Sequence, residues 1–282
     1  KIHINELVIQ GGIMKKTFVA VILCTLFLGL SWGQTNPTPV SLTYSQDFGI
    51  SSFSTLPTGF AAWNGTGAIK TQSSAESSTA TGDASVSART STTTSGGVYG
   101  LAISSNGRAY IQSSSNTTNG RNQLALALDT TGFTDITISF TINVELAPDT
   151  SRPYGVVAQY RVGTSGTWTT FANGAIQFTN ETAGTSVSFS DLAFGTDAEN
   201  QSNVQVRWAT WRGDGSGSSG GLSIDNIEIN GLTGGNTPPA ITDIVQTPST
   251  DIINTTTVSV SATITDSDGT VTSAQLRWGT AT

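Results

Sequence analysis

From Thr134 to Val144 the chain reads TDITISFTINV, with Ile136, Ile138, Phe140, Ile142 and Val144 at every second position and polar residues between them. An extended strand puts such positions on one face, so this segment has one side against a core and one side turned away. The same rhythm returns elsewhere. Val156, Ala158, Tyr160 and Val162 alternate before GTSG turns the chain into TWTTF, the pattern of a hairpin. Leu124, Leu126 and Leu128, then TSVSFSDL, then Val204, Val206 and Trp208, supply further strands. No segment sustains a helical period. With 31 Gly and only 11% charged residues, the chain is poor in helix formers and rich in strand and turn residues. The fold class is therefore all-β, a sandwich with one buried face per strand.

Met14 is the only methionine, and Lys15 and Lys16 follow it, then the apolar run TFVAVILCTLFLGL and SWGQ. A charged start, a short apolar stretch and small residues at Ser31 and Gly33 predict a signal peptide over residues 14–33, cut before Gln34, and hence a secreted, extracellular protein. The run is shorter than the roughly 20 residues needed to span a bilayer. Residues 1–13 are expected to be translated upstream sequence. Cys24 lies within the apolar run rather than at its end, which argues against a lipid anchor.

Cys24 and His3 are the only cysteine and histidine, so residues 34–282 contain neither. Nucleophilic cysteine chemistry, a Ser-His-Asp triad and Cys/His zinc sites are thereby excluded from this region. Without Glu6, Lys1, Lys15 and Lys16, it carries 18 acidic and 9 basic side chains, a net charge of -9. An acidic surface with no Lys/Arg run repels a phosphate backbone, so nucleic-acid binding is not expected.

Residues 71–97 hold 15 Ser or Thr in 27 positions, and the weak alternation of SVSART favours strand and loop within the domain over a linker. The linker is expected at residues 233–240, where Gly and Pro cluster. Beyond it, Val258, Val260, Ala262 and Ile264 alternate before DSDG, and Ala274, Leu276 and Trp278 after it. This predicts a second hairpin.

Together, YSQDFG, LPTGFAAWNG, AQYRVGTSGTW and LSIDNIEING resemble the jelly-roll modules of secreted bacterial proteins, of the MAM-like, cleaved-adhesin and calcium-bearing carbohydrate-binding types. TPPAITDIVQTPST and VSATITDSDGTV resemble bacterial immunoglobulin-like modules. The resemblance implies a jelly-roll β-sandwich over residues 34–232 and the first strands of an incomplete immunoglobulin-like sandwich over 241–282. It also implies a structural calcium ion shared by Asp47 of the first strand and Asp225 of the closing strand. Calcium takes six to eight oxygen ligands, several of them commonly backbone carbonyls, so two carboxylates would form only the charged core of such a site. Against this stands a bulge at Asp225 and Asn226 whose side chains satisfy local backbone groups. DSDG lacks the further carboxylates of a calcium loop and reads as a turn.

Trp211 faces away from the core if Val206 and Trp208 face it, and Arg212 and Asp214 stand beside it. An exposed indole stacks on a sugar ring while charged neighbours bond its hydroxyls, so these three are the candidate ligand-binding residues, with Trp63 as a lesser candidate. Arg212-Gly213-Asp214 also spells an integrin-type tripeptide, taken as chance. The expected function is a secreted noncatalytic binding module for a glycan or cell surface, with no membrane span in the mature chain. The alternative is an accessory region of a larger secreted hydrolase, for example an extracellular nuclease, with its catalytic domain past residue 282. A glycoside hydrolase within residues 34–282 would need a carboxylate pair that nothing singles out.

Overall fold

The computed structural model describes residues 33–65, 69–114, 122–149, 151–233, 239–247, 258–266, 271, 273 and 274. Residues 1–32, with the expected leader and Cys24, lie outside them, as do linker residues 234–238 and the DSDG turn past Asp266. The chain divides into two compact units, one ending at Leu232 and the other beginning at Thr233.

The strands of the first unit are β1 (Val40–Ser41), β2 (Tyr44–Gln46), β3 (Phe60–Gly65), β4 (Ala80–Asp83), β5 (Val86–Arg89), β6 (Gly97–Ile103) and β7 (Asn106–Gln112). They continue with β8 (Asn122–Asp129), β9 (Phe133–Leu146), β10 (Tyr154–Val162), β11 (Thr169–Phe178), β12 (Ser186–Ala193), β13 (Val204–Arg212) and β14 (Gly221–Thr233). Sheet A runs β11-β10-β13-β8-β3-β4 with β1 added beside β8, and sheet B runs β12-β9-β14-β7-β6-β5 with β2 added beside β14. This is a jelly-roll β-sandwich. Most neighbours are antiparallel; β1 with β8 and β5 with β6 are parallel.

The alternating residues read from the sequence form the core. Ile136, Ile138, Phe140, Ile142 and Val144 of β9 pack with Leu124, Leu126 and Leu128 of β8 and with Val204, Val206 and Trp208 of β13. Phe140 joins the two layers: its ring stacks on Phe189 of β12 at 4.7 Å and meets Trp208 of sheet A edge-on at 5.5 Å. The predicted hairpin is present, with Tyr154–Val157 of β10 opposite Ala175–Phe178 of β11.

The first strand is shared between the layers. Val40 and Ser41 lie against Leu128 and Asp129 in sheet A, whereas Tyr44–Gln46 lie against Ile227–Ile229 in sheet B. The break in LSIDNIEI now has a geometric cause. Strand β14 pairs with β7 through Gly221–Ile224 and with β2 through Ile227–Ile229. Between them Asn226 takes φ +48°, and the extra residue lets Leu222 and Ile224, then Ile227 and Ile229, all reach the core.

The Ser/Thr-rich tract differs from expectation by holding a helix. In α1 (Gln72–Glu76) the Thr71 side chain accepts from the Ser74 amide while the Ser74 side chain accepts from the Thr71 amide. This reciprocal cap satisfies two orphan donors and lets so short a helix form without a helical apolar period. Its one buried residue, Ala75, faces sheet A. Among the described residues no helix is long and apolar enough to cross a membrane.

The second unit shows two antiparallel strands, β15 (Ala240–Thr247) and β16 (Ser259–Thr265), with Ile241 opposite Ile264. The segment after DSDG that was expected to pair with β16 lies largely outside the described residues; the partner seen for β16 is β15.

Removing the aromatic ring that joins the two layers should be costly. Phe140→Ala is expected to destabilise the first unit by about 3–5 kcal/mol, measured as a fall in the urea midpoint at unchanged slope.

Candidate functional site

The outer face of sheet A, the side away from the core, carries polar residues that water barely reaches. In β10 and β13 these are Gln159, Arg161, Gln205 and Arg207, all at most 7% exposed. The strand register sets Gln159 opposite Arg207 and Arg161 opposite Gln205, so each guanidinium has an amide directly across from it. Arg207 donates from Nε and Nη2 to the Gln159 Oε1 at 2.9 and 2.6 Å, and Arg161 donates likewise to the Gln205 Oε1. On the next strand the residue opposite Arg207 is Ala125, whose small side chain leaves room on this face.

A strap of chain from Ile69 to Ala80 crosses this face. Arg207 holds it down, donating to the backbone carbonyls of Glu76 and Ser78, each at 2.7 Å, and to the Gln123 side chain at 3.3 Å. Gln123 in turn donates to the Ser78 hydroxyl. All of these acceptors are neutral. Among the described residues the ion pairs are Lys70 with Asp214 and Arg108 with Glu145; neither Arg161 nor Arg207 belongs to one. Burial, and after it the nearby Arg161, push the Arg207 pKa down to about 9, and burial lowers that of Arg161. Both remain cationic at neutral pH.

Between the strap and the β10–β11 turn opens a cleft of about 510 Å³. Trp63, Arg161 and Trp168 line it, with Glu76 on the strap side and Thr164–Thr167 on the other. The Trp168 ring lies 4.3 Å from the guanidinium carbons of both Arg161 and Arg207. It is partly exposed. Trp63 is fully buried, donates its indole N–H to the Thr35 carbonyl at 2.9 Å, and meets Trp168 edge-on at 6.5 Å. A partly exposed indole backed by cations and ringed by hydroxyls and amides can stack on an apolar ring face and bond polar substituents around it.

Trp211 does face away from the core, as expected, but it is 3% exposed rather than open to solvent. The strap is the reason: Ile69 and Ala75 cover the indole, which packs with Val157 and Ala209 into a small second core. Arg212 is half-buried, and its amide donates to the Ile69 carbonyl. Asp214 is exposed and pairs with Lys70 at 2.6 Å. Of the aromatic candidates, Trp63 reaches the cleft wall and Trp211 does not. Trp168, Arg161 and Arg207 were not anticipated. The signal for the two arginines was the Gln-x-Arg pattern in both AQYRV and VQVRW, a polar pair repeated at the same spacing on two strands.

Asp47 and Asp225 come near each other where β2 meets β14. The Asp225 carboxylate is buried, accepting from the Asn226 amide at 2.8 Å and the Asn106 side chain at 3.3 Å. Burial raises its pKa, and Asp47 contributes in the same direction against the lowering by these bonds and by Arg108. Asp47 is exposed and accepts from the Gly49 amide at 3.0 Å. On the other, core-facing side of β7 the carbonyls of Phe48, Ser51 and Gly49 crowd Gly107, at 2.5, 3.0 and 3.1 Å from where a Cβ would stand, and the Gly49 carbonyl accepts from the Gly107 amide. Carboxylates and an amide oxygen are hard donors of the kind calcium takes. Among the described residues no three acidic, histidine or cysteine side chains cluster, so most ligands would be neutral oxygens.

No family model matches the chain, and no curated protein matches it. Solved structures do. The K3 cleaved adhesin domain of Lys-gingipain from Porphyromonas gingivalis W83 is 15% identical, with 66% of this chain and 98% of that one covered at a TM-score of 0.37. The xylan-binding module CBM15 is 12% identical, covering 68% and 98% at 0.35. The N-terminal cellulose-binding domain of Cellulomonas fimi β-1,4-glucanase C is 14% identical, covering 66% and 96% at 0.31. At such identities and scores the likeness says nothing about what this chain binds.

The two tryptophans of the outer face should respond differently to truncation. Trp211→Ala removes a covered side chain and is expected to cost about 3–5 kcal/mol, whereas Trp168→Ala should cost less than half as much by chemical denaturation.

Proposed function

We propose that residues 34–232 form a secreted, noncatalytic module that attaches to a glycan through the cleft on the outer face of sheet A. The observation that carries this reading is the partly exposed Trp168 indole, set over two guanidinium groups and flanked by the hydroxyl-bearing turn Thr164–Thr167. Secretion is supported by the sequence pattern of residues 14–33. A stacking ring lends affinity through its area, and the surrounding donors and acceptors fix the orientation of the sugar. The test is affinity electrophoresis of the chain through gels containing soluble polysaccharides. Trp168→Ala should abolish any retardation while the melting temperature changes little, and no reducing ends should be released. Undiminished retardation of that variant would move the binding site elsewhere.

We also propose that Asp47 and Asp225 share a structural calcium ion. The support is a buried carboxylate bonded to an amide side chain and within electrostatic reach of a second carboxylate. An ion bound only by the folded state adds about 2.7 kcal/mol when its concentration is a hundredfold above its dissociation constant. With its pKa raised in the fold, the Asp225 carboxyl stabilises the ion-free protein below its unfolded pKa, and that contribution is lost as pH rises through the raised value. Calcium reverses this preference because it binds the ionised form. Chelator should therefore lower the melting temperature by several degrees at pH 7 and by less near pH 4. Asp225→Asn should lower it in calcium and leave it unchanged or higher in chelator. A wild-type melting curve indifferent to chelator at pH 7 would leave the bulge as the whole role of Asp225.

A further inference from the structure

We infer that the glycan recognised by this cleft is acidic, and that a carboxylate or sulfate on the polymer binds at Arg161. The inference rests on the proposed glycan function and names its ligand class. Its basis is an imbalance of charge. Across residues 34–282 acidic side chains outnumber basic ones two to one, yet the two arginines that converge on Trp168 have no carboxylate in an ion pair among the described residues.

The acceptors that hold these arginines are glutamines. Gln159 and Gln205 stand directly across from Arg207 and Arg161, positions where a glutamate of nearly the same shape would neutralise each charge. A buried or half-buried cation is far better accommodated beside an opposite charge than beside a neutral amide. The amides satisfy the hydrogen bonds of the guanidinium groups and leave their charge uncancelled. The lowered pKa of Arg207, in part an effect of Arg161, has the same origin.

Access separates the two. Arg207 is fully buried beneath the strap, whereas Arg161 lines the cleft. Arg161 spends Nε and Nη2 on Gln205, and its Nη1 is not among the buried nitrogens that lack a partner. Arg207, whose guanidinium carbon is also 4.3 Å from the Trp168 ring, supports the same field. The carboxylate of Glu76 also lines the cleft, accepting from the Gln72 side chain at 2.9 Å, so the local balance is two cations against one anion. An acid group entering beside Trp168 would gain a charge-assisted bond in a partly desolvated setting, where such bonds are strongest.

The experiment measures binding of the purified chain to polygalacturonate, alginate, a sulfated galactan, neutral xylan and neutral β-glucan. Retention on at least one acidic polymer is expected, weakening about tenfold or more as sodium chloride rises from about 0.05 M to about 0.5 M. This measurement needs no variant. Arg161→Gln should weaken acidic-polymer binding about tenfold or more, and Arg161→Lys should retain part of it. Chemical reduction of the carboxyl groups, or desulfation, of the polymer that binds identifies which acid group is read. Binding confined to neutral polymers, or acidic-polymer binding unaffected by salt and by Arg161→Gln, would overturn the acidic ligand and leave the glycan function standing. Failure to bind any of the five polymers would overturn both.

Discussion

The outer half of this sandwich depends on the buried guanidinium of Arg207. Its five donors reach a glutamine on β10, a glutamine on β8 and two backbone carbonyls of the strap. The strap has little apolar surface of its own to hold it down, since half of it is serine and threonine and only Ile69 and Ala75 are buried in the small second core. Hydrogen bonds from a charged donor are stronger than neutral ones, and here they replace the apolar contacts the segment lacks. Two consequences follow from the docked strap. It roofs Trp211, and its far end forms one wall of the cleft.

The two ends of the jelly roll are tied by a different device. The first strand divides itself between the sheets, and its second half completes β14 on the far side of the Asp225–Asn226 bulge. The bulge is required because the core-facing residues Ile224 and Ile227 are three apart, and a regular strand would turn one half of β14 to the wrong face. The same extra residue leaves the Asp225 carboxylate buried close to Asp47. Geometry demanded by the core has thereby set two carboxylates within electrostatic reach of each other.

Much of the architecture was legible in the sequence because one face of each central strand meets an apolar core, and period-two alternation records that contact directly. The β10–β11 hairpin, the β9 core stripe and the outward direction of Trp211 all follow from it. The other face was not legible. Gln159, Arg161, Gln205 and Arg207 occupy the positions at which a solvated strand also carries polar residues, so the pattern cannot distinguish a covered polar face from a wet one. What distinguishes them is the strap, whose partner carbonyl at Glu76 lies 131 residues from Arg207. The helix within it was hidden for a related reason: five residues are too few to show a period, and its reciprocal Thr71–Ser74 cap is written in a tract where more than half of the residues are Ser or Thr. The exposure of Trp211 was misjudged because it depends on the same strap.

The geometry of the cleft is ultimately a matter of register. With Gln159 opposite Arg207 and Arg161 opposite Gln205, the two cations lie on a diagonal of neighbouring strands rather than face to face. Directly opposed like charges would repel at close range, whereas the diagonal places an amide between each guanidinium and the other. A slip of one residue of β13 against β10 would turn Gln205 and Arg207 toward Phe140 and bring Val206 and Trp208 outside. The register is held against such a slip by the core face of the same two strands, where Val156, Ala158 and Tyr160 alternate with the polar residues and pack inward with Val204, Val206 and Trp208. The apolar alternation that makes the chain a sandwich therefore also fixes the spacing of the charges that Trp168 covers.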